Sequence, residues 1–168
     1  MNICEHLTAT AVVFPDRDAI HFEGTTITYA QLDRMSLAAS QRLLTAGIQA
    51  GDRVAIMLPN VPSFAVWYYA APRIGAIAVS ISTRSAGSEV AFLLKDCHAR
   101  FFVADEATLQ TVSQQLPSCV ASSVFTSDHG NTADGQSLSD DATTVSTWFD
   151  ANPNDAALIL YTSGTTVF

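Results

Sequence analysis

The residues best suited to chemistry lie near the carboxyl end of the chain, where a polar segment follows the apolar run 156–160. That run is predicted to be a strand. Hydroxyl groups and backbone N–H groups can surround phosphate oxygens, and a glycine keeps such a loop uncluttered. Composition alone favours an ordinary polar turn, so the phosphate-binding hypothesis needs further support. The candidate binding residues are Thr162, Ser163, Gly164, Thr165 and Thr166.

Two better-known nucleotide-binding loops are absent from the sequence. The loop G-x-x-x-x-G-K-[ST] needs a lysine after its second glycine, whereas Thr166 is followed by Val167 and Phe168. The glycines also never form G-x-G-x-x-G, the dinucleotide-binding fingerprint. These observations exclude that class of nucleotide triphosphatase and give no support to a redox enzyme.

Composition limits the partners and the compartment. The formal net charge is -8 with only eight Lys and Arg residues, so nucleic acid is not expected as a partner. Three cysteines without C-x-x-C spacing argue against a disulfide framework and against a zinc site, and no metal ligands are predicted. Residues 1–7 lack the basic start and apolar run of a signal peptide, and no apolar run reaches membrane-spanning length. We expect a cytoplasmic protein.

The first part of the chain is predicted to form a hairpin and a helix. Residues 19–29 contain two β-rich runs around a glycine turn. Thr28 is then expected to cap a helix, with Gln31 in the capping-box position and Gly47 at the end.

Strands and helices are predicted to alternate over the rest of the chain. Continuous apolar runs indicate strands buried on both faces of a parallel sheet, joined by right-handed crossovers. The fold class is therefore α/β, a layered, largely parallel sheet flanked by helices, with an N-terminal β-hairpin. Residues 127–147 are rich in Ser, Thr, Asp and Gly and are predicted to be a flexible acidic loop. The expected elements are strands 54–58, 77–81, 100–104, 122–126 and 156–160, a helix opened by Asn60 and Pro62, a helix capped by Ser88, and a weaker helix over 108–116.

Residues 161–166 resemble the Y-T-S-G-T-T core of the adenylate-forming enzymes, the superfamily of acyl-CoA synthetases, luciferases and peptide-synthetase adenylation domains. Residues 28–32 resemble the family's T-Y-x-x-L, and residues 51–60 resemble its G-D-R-V-A-x-x-L-P-N. The segment Arg73-Ile74-Gly75-Ala76 is similar to K-x-G-A, and Thr83, Arg84 and Glu89 to N-x-R-x-x-x-x-E. The resemblance runs from about residue 10 to Thr166 and is strongest to fatty or aryl acyl-CoA synthetases.

The resemblance implies that residues 1–168 are the N-terminal part of an incomplete AMP-binding domain. The parent enzyme would use ATP, Mg²⁺ and coenzyme A, form an acyl-adenylate from a carboxylic acid, and transfer the acyl group to the coenzyme A thiol. The five loop residues from Thr162 to Thr166 would contact the nucleotide. No residue is assigned as catalytic, and no cofactor is assigned to this chain by itself.

One departure from the family pattern separates the parent reaction from this chain. The family continues after the second threonine with G-x-P-K-G, whereas Val167 and Phe168 follow Thr166 here. We therefore expect the isolated chain to be inactive and to self-associate through exposed apolar faces. A non-catalytic binding or regulatory module and the product of an interrupted reading frame are the alternatives. Trp67, Tyr68 and Tyr69 are interpreted as helix packing instead of a substrate wall.

Overall fold

The computed structural model describes residues 3–113, 116, 121–125, 149–152 and 154–161, with the backbone alone described at 121–125. Among the helices in these ranges, none combines the length and apolar character that a membrane crossing requires. The order of elements confirms the α/β class. It is α1 (Ile3–Val13), β1 (Asp18–Phe22), β2 (Thr25–Thr28), α2 (Tyr29–Thr45), β3 (Arg53–Met57), α3 (Pro62–Arg73), β4 (Ile77–Ser80), α4 (Gly87–Asp96), β5 (Ala99–Asp105), α5 (Glu106–Val112), β6 (Ala121–Phe125) and β7 (Leu158–Leu160).

Strands β3 to β7 form one five-stranded sheet in the order β6-β5-β3-β4-β7, and each neighbouring pair is parallel. The central strand is β3, where Val54 is aligned with Ala78 on one side and with Phe101 on the other. Residues 54–57 are buried, as expected for a parallel strand covered on both faces. The predicted parallel sheet is therefore confirmed.

Side chains of β3 alternate between two helical layers, because successive residues of a strand point to opposite faces. Val54 and Ile56 belong to the core shared with α1, α2 and α3, which we call the first helical layer. Ala55 and Met57 belong to the core shared with α4 and α5, the second helical layer. The connection from β3 to β4 and the connection back to β5 run in opposite directions. Right-handed crossovers therefore place their helices on opposite faces of the sheet.

The predicted hairpin is formed by β1 and β2, which pair antiparallel. Its turn residues Glu23 and Gly24 both have positive φ, 46° and 79°, as a type I′ turn requires. The capping box is present as well. Thr28 Oγ1 accepts the N–H of Gln31 at 3.3 Å, and Gln31 Oε1 accepts the N–H of Thr28 at 2.8 Å.

Three helix-to-strand turns use a residue in the left-handed region just beyond the helix. Gly47 after α2 and Gly75 after α3 have φ of 80° and 77°, and His98 after α4 has φ of 52°. Gly47 N–H bonds to Leu44 O and Ile48 N–H to Leu43 O, both at 2.9 Å, which is the Schellman arrangement. The predicted helix end at Gly47 is confirmed.

The structure corrects several predicted boundaries. Helix α1 was not predicted, because its β-branched and threonine residues are weak helix formers. Ser88 is not the cap of α4: the helix begins at Gly87 after Ala86, which makes no side-chain capping bond. Helix α5 begins two residues earlier than expected, because Asp105 Oδ1 accepts the N–H of Thr108 at 2.7 Å. The predicted acidic loop over 127–147 lies outside the described residues.

Candidate functional site

The candidate site is the carboxyl edge of the parallel sheet, where ligands of open α/β sheets bind. Strands β3, β4 and β7 all end at this edge. Strand β7 pairs with β4 in register, with Ser80 aligned to Leu160. Tyr161 thus leaves the sheet beside the end of β4. The predicted phosphate-binding residues Thr162, Ser163, Gly164, Thr165 and Thr166 follow it and lie outside the described residues.

Strand β7 is held by its pairing with β4 and by side chains on both faces. Leu158 packs against the first core, whereas Ile159 and Tyr161 pack against the second. The backbone N–H of Ala78 donates to Ala157 O at 3.0 Å, just before the strand. Leu160, which faces away from the second core, is 65% exposed. Three strand residues and their immediate neighbours therefore fix the point at which the candidate loop starts.

Tyr161 makes a long-range hydrogen bond from the end of β7 to the second helical layer. Its phenolic O–H donates to Asp96 Oδ2 at 2.6 Å. Burial raises the pKa of Tyr161, and the hydrogen bond to the Asp96 carboxylate raises it further. The phenol therefore stays protonated and remains a donor at physiological pH. The motif comparison gave this tyrosine no role.

The turn after β4 borders the same edge. Ile81 N–H continues the sheet by donating to Ile56 O at 2.9 Å. Ser82 then organises a turn, since its Oγ accepts the N–H of Arg84 at 3.2 Å and its carbonyl accepts the N–H of Ser85 at 3.0 Å. Arg84 is exposed and places a guanidinium on this side of the sheet. A cation there favours anionic ligands.

The described cavity beside the sheet lies at its opposite, amino edge. It has a volume of about 80 Å³. Apart from Ile3 of α1, its lining residues precede β4 or β7, at the end of these strands opposite Tyr161. Phe149 forms part of the wall and donates its N–H to Arg73 O at 3.2 Å. The lining includes Ile3, Pro72, Gly75, Phe149, Asn152 and Asp155.

A buried polar network joins the three helices of the first layer. Arg73 is 2% exposed, and its Nη2 donates to Asp33 Oδ1 at 2.6 Å and to Ser36 Oγ at 2.7 Å. Thr8 of α1 donates its hydroxyl to the same Asp33 oxygen at 2.6 Å. The sequence marked Arg73 only as part of a family-like segment, and no local pattern pairs it with Asp33, forty residues earlier.

Cys4 lies in the same layer and is chemically inert there. Its thiol is fully buried and donates to Tyr69 O at 2.8 Å. Burial raises the pKa of Cys4 from 9.0 to about 12, so the thiolate is not formed at neutral pH. This cysteine therefore packs the helices together and does not serve as a nucleophile.

Comparison with known proteins gives the family. The family model described as AMP-binding enzyme matches residues 7–167. The chain is 36% identical over 104 residues to the long-chain-fatty-acid–CoA ligase FadD13 of Mycobacterium tuberculosis, covering 61% of this chain and 21% of that protein. It is 29% identical over 176 residues to the medium-chain fatty-acid–CoA ligase of Escherichia coli, covering 98% of this chain and 31% of that protein.

The fold comparison agrees with the sequence comparison. The N-terminal domain of FACL13 from Mycobacterium tuberculosis, solved with an inhibitor, superposes with a TM-score of 0.80 and 29% identity. The match covers 98% of this chain and 42% of that chain. This chain spans between 21% and 31% of the length of the two curated relatives. Since the family model covers nearly all of its residues, the chain belongs to the AMP-binding enzyme family.

Proposed function

We propose that this chain is part of an ATP-dependent acid–thiol ligase, which activates a carboxylic acid as an acyl-adenylate and transfers the acyl group to coenzyme A. The proposed substrate class is a fatty or aryl acid, and the names of the two relatives, ligases of long-chain and medium-chain fatty acids, support a fatty acid. The observation that carries the proposal is the register of β7 with β4, which brings Tyr161 to the carboxyl edge.

The proposed chemistry is electrostatic. A carboxylate must approach the α-phosphate of ATP, so negative charge on both reactants has to be offset by donors and cations. We propose that the hydroxyls of Thr162, Ser163, Thr165 and Thr166 and the backbone around Gly164 donate to phosphate oxygens. The phosphates would also bind Mg²⁺, whose charge supplements these donors. No residue of the chain is proposed as catalytic.

We further propose that turnover belongs to the whole ligase and not to these 168 residues. The chain spans at most 31% of the two curated relatives, so most of the residues that act in a complete ligase lie outside it. Three successive exposed apolar residues at the end of α1, Val12, Val13 and Phe14, support self-association of the isolated chain. Sedimentation of the concentrated chain measures that association. A cytoplasmic location remains part of the proposal.

Isothermal calorimetry with ATP and Mg²⁺ tests the loop assignment. We expect weak, saturable binding by the chain and its loss in the double variant Ser163→Ala/Thr165→Ala. Thr25→Ala removes an exposed hydroxyl from the hairpin and serves as the matched control, with unchanged affinity. Equal affinity for MgATP in the loop variant and the control would mean that Ser163 and Thr165 do not bind the nucleotide.

ATP–pyrophosphate exchange with a panel of fatty and aromatic acids tests the reaction. We expect no exchange by the chain and acid-dependent exchange when the same residues are part of a complete ligase. Exchange by the 168-residue chain at a full ligase rate would contradict the proposal that turnover requires the whole ligase. ATP binding without exchange in either context would favour the non-catalytic binding module.

A further inference from the structure

Asp96 occupies an electrostatically unfavourable position in its helix. It is the last residue of α4, where the helix carbonyls carry partial negative charge and a carboxylate is unfavourable. The preceding residue, Lys95, follows the usual preference for a basic side chain in the last turn. A residue that opposes its local environment is expected to have a compensating contact elsewhere.

The compensating contact is the hydrogen bond from Tyr161. The donor and acceptor are 65 residues apart in sequence, and their oxygen atoms are 2.6 Å apart. Bonds from a hydroxyl to a carboxylate are shorter and stronger than those between neutral groups. The ring of Tyr161 also packs against the second core. The bond therefore ties the end of an edge strand to the exposed carboxyl end of α4.

The attachment matters because β7 has only three residues and is the terminal strand of the five-stranded sheet. Short edge strands fray readily, since few hydrogen bonds hold them. Tyr161 is the last described residue before the candidate loop, and its side chain fixes the backbone from which Thr162 follows. A shift at this position would move every donor after it.

We propose that Tyr161 and Asp96 are a positioning pair, which sets where the phosphate-binding residues leave the sheet. This proposal rests on the proposed function, because it assigns the phosphate contacts to Thr162–Thr166. Neither residue is proposed to touch the nucleotide. Their role is to fix the position of Tyr161, and with it the point where the chain leaves the sheet, before ATP binds, which reduces the entropy lost on binding.

The first test measures the end of β7 directly by hydrogen exchange of the backbone amides, with no nucleotide present. In Tyr161→Phe we expect the amides of β7 and Tyr161, residues 158–161, to exchange at least about ten times faster, whereas amides of β3 keep their rates. Asp96→Ala should give the same increase, and the double variant should exchange no faster than either single variant. Tyr68→Phe removes a hydroxyl from α3 and is the matched control, with wild-type rates. Unchanged rates in Tyr161→Phe, or additive effects of the two changes, would overturn the proposal.

The second test uses the unfavourable position of the Asp96 carboxylate at the carboxyl end of α4. In the wild-type chain, Asp96→Ala should lower Tm, because it removes the acceptor for Tyr161. In the Tyr161→Phe background the same change should raise Tm, because it then only removes a carboxylate from the end of a helix. If Asp96→Ala changed Tm in the same direction in both backgrounds, the bond to Tyr161 would not be what compensates for the position of Asp96.

The third test separates positioning from stability and from the proposed function. Tyr161→Phe should raise the Kd for MgATP about tenfold, whereas Val112→Ala, a core change in α5 that lowers Tm, should leave the Kd unchanged. If MgATP does not bind to the wild-type chain, the phosphate assignment is wrong. Hydrogen exchange then still decides whether the pair positions Tyr161 at the end of β7.

Discussion

The two helical layers are attached to the same sheet in different ways. The first layer combines apolar packing with a buried ion pair between Arg73 and Asp33, which also bonds to α1 through Thr8. The buried cluster of the second layer is apolar, and a polar tie, the bond from Tyr161 to Asp96 at the end of α4, joins this layer to β7. Directional polar contacts fix one helix arrangement in the first layer. The second layer uses its polar tie to hold the strand that leads to the candidate site.

The turns that lead from α3 and from α4 into the sheet are also held in different ways. After α3, Gly75 lies under the ring of Phe149, and a Cβ atom there would stand 2.5 Å from Phe149 Cγ. After α4, His98 takes up the left-handed conformation, and the turn is held by Arg53. That guanidinium donates to Cys97 O at 2.6 Å and to His98 O at 2.8 Å. The first turn is thus limited by close packing on Gly75, whereas the second is held by side-chain hydrogen bonds from Arg53 to its carbonyls.

Removing the buried cation should have the largest effect. We expect Arg73→Met to lower the free energy of unfolding by about 3–5 kcal/mol, because it leaves the Asp33 carboxylate without the cation it was buried against. Urea denaturation measures the change. The double variant Arg73→Met/Asp33→Asn should lose much less than the sum of the two single changes.

Arg53→Met is the matched control for this prediction. Arg53 is only partly buried and donates to backbone carbonyls, including Gly51 O at 2.9 Å, so we expect a loss of about 1–2 kcal/mol. If both arginine variants lost the same free energy, the distinction between a buried polar network and a hydrogen-bonded turn would be wrong.

Local sequence patterns predicted the parts of the fold that depend on local interactions. The hairpin turn at Gly24, the capping box at Thr28 and the buried run of β3 each depend on neighbours within a few positions. Helix α1 was missed because its stability comes from burying Cys4, Leu7 and Ala11 against other helices. The weak intrinsic helix propensity of its residues gave no indication of α1 in the sequence.

The site shows the same division between local and long-range information. The apolar run 156–160 was sufficient to predict the strand that became β7, whereas the phosphate-binding loop after Tyr161 stays a prediction. The partner of Tyr161 could not be predicted, because Asp96 is 65 residues away and no periodic pattern relates the two positions. The ion pair of Arg73 with Asp33 was hidden for the same reason. Contacts of this kind follow from the packing of the finished fold.

Two alanine substitutions compare close packing with backbone strain. Gly75 and Gly47 have φ of 77° and 80°, but only Gly75 has a neighbour near the position of a Cβ atom. We expect Gly47→Ala to cost about 1 kcal/mol from backbone conformation alone. Gly75→Ala should cost roughly 2 kcal/mol more, because the methyl group collides with Phe149.

Thermal or urea unfolding of both variants measures the difference. The excess at Gly75 should disappear when both alanine changes are compared in a Phe149→Ala background, since the colliding ring is then absent. An excess that persists there would mean that the first turn is limited by its backbone and not by packing.

The smallest effect is expected at His98, where a residue with a side chain occupies the left-handed region. Glycine adopts that conformation without the steric cost of a Cβ atom, and it keeps the carbonyl that Arg53 binds. Two effects oppose this gain. The substitution removes the contact between His98 Nδ1 and Asp96 O at 3.0 Å, and glycine has greater conformational freedom in the unfolded chain. We expect His98→Gly to raise the free energy of unfolding by about 0.5 kcal/mol. His98→Ala removes the ring but keeps the strain, and should lower the free energy by a similar amount. Equal stabilities for the glycine and alanine variants would mean that the bonds from Arg53, and not the backbone conformation, decide the stability of the second turn.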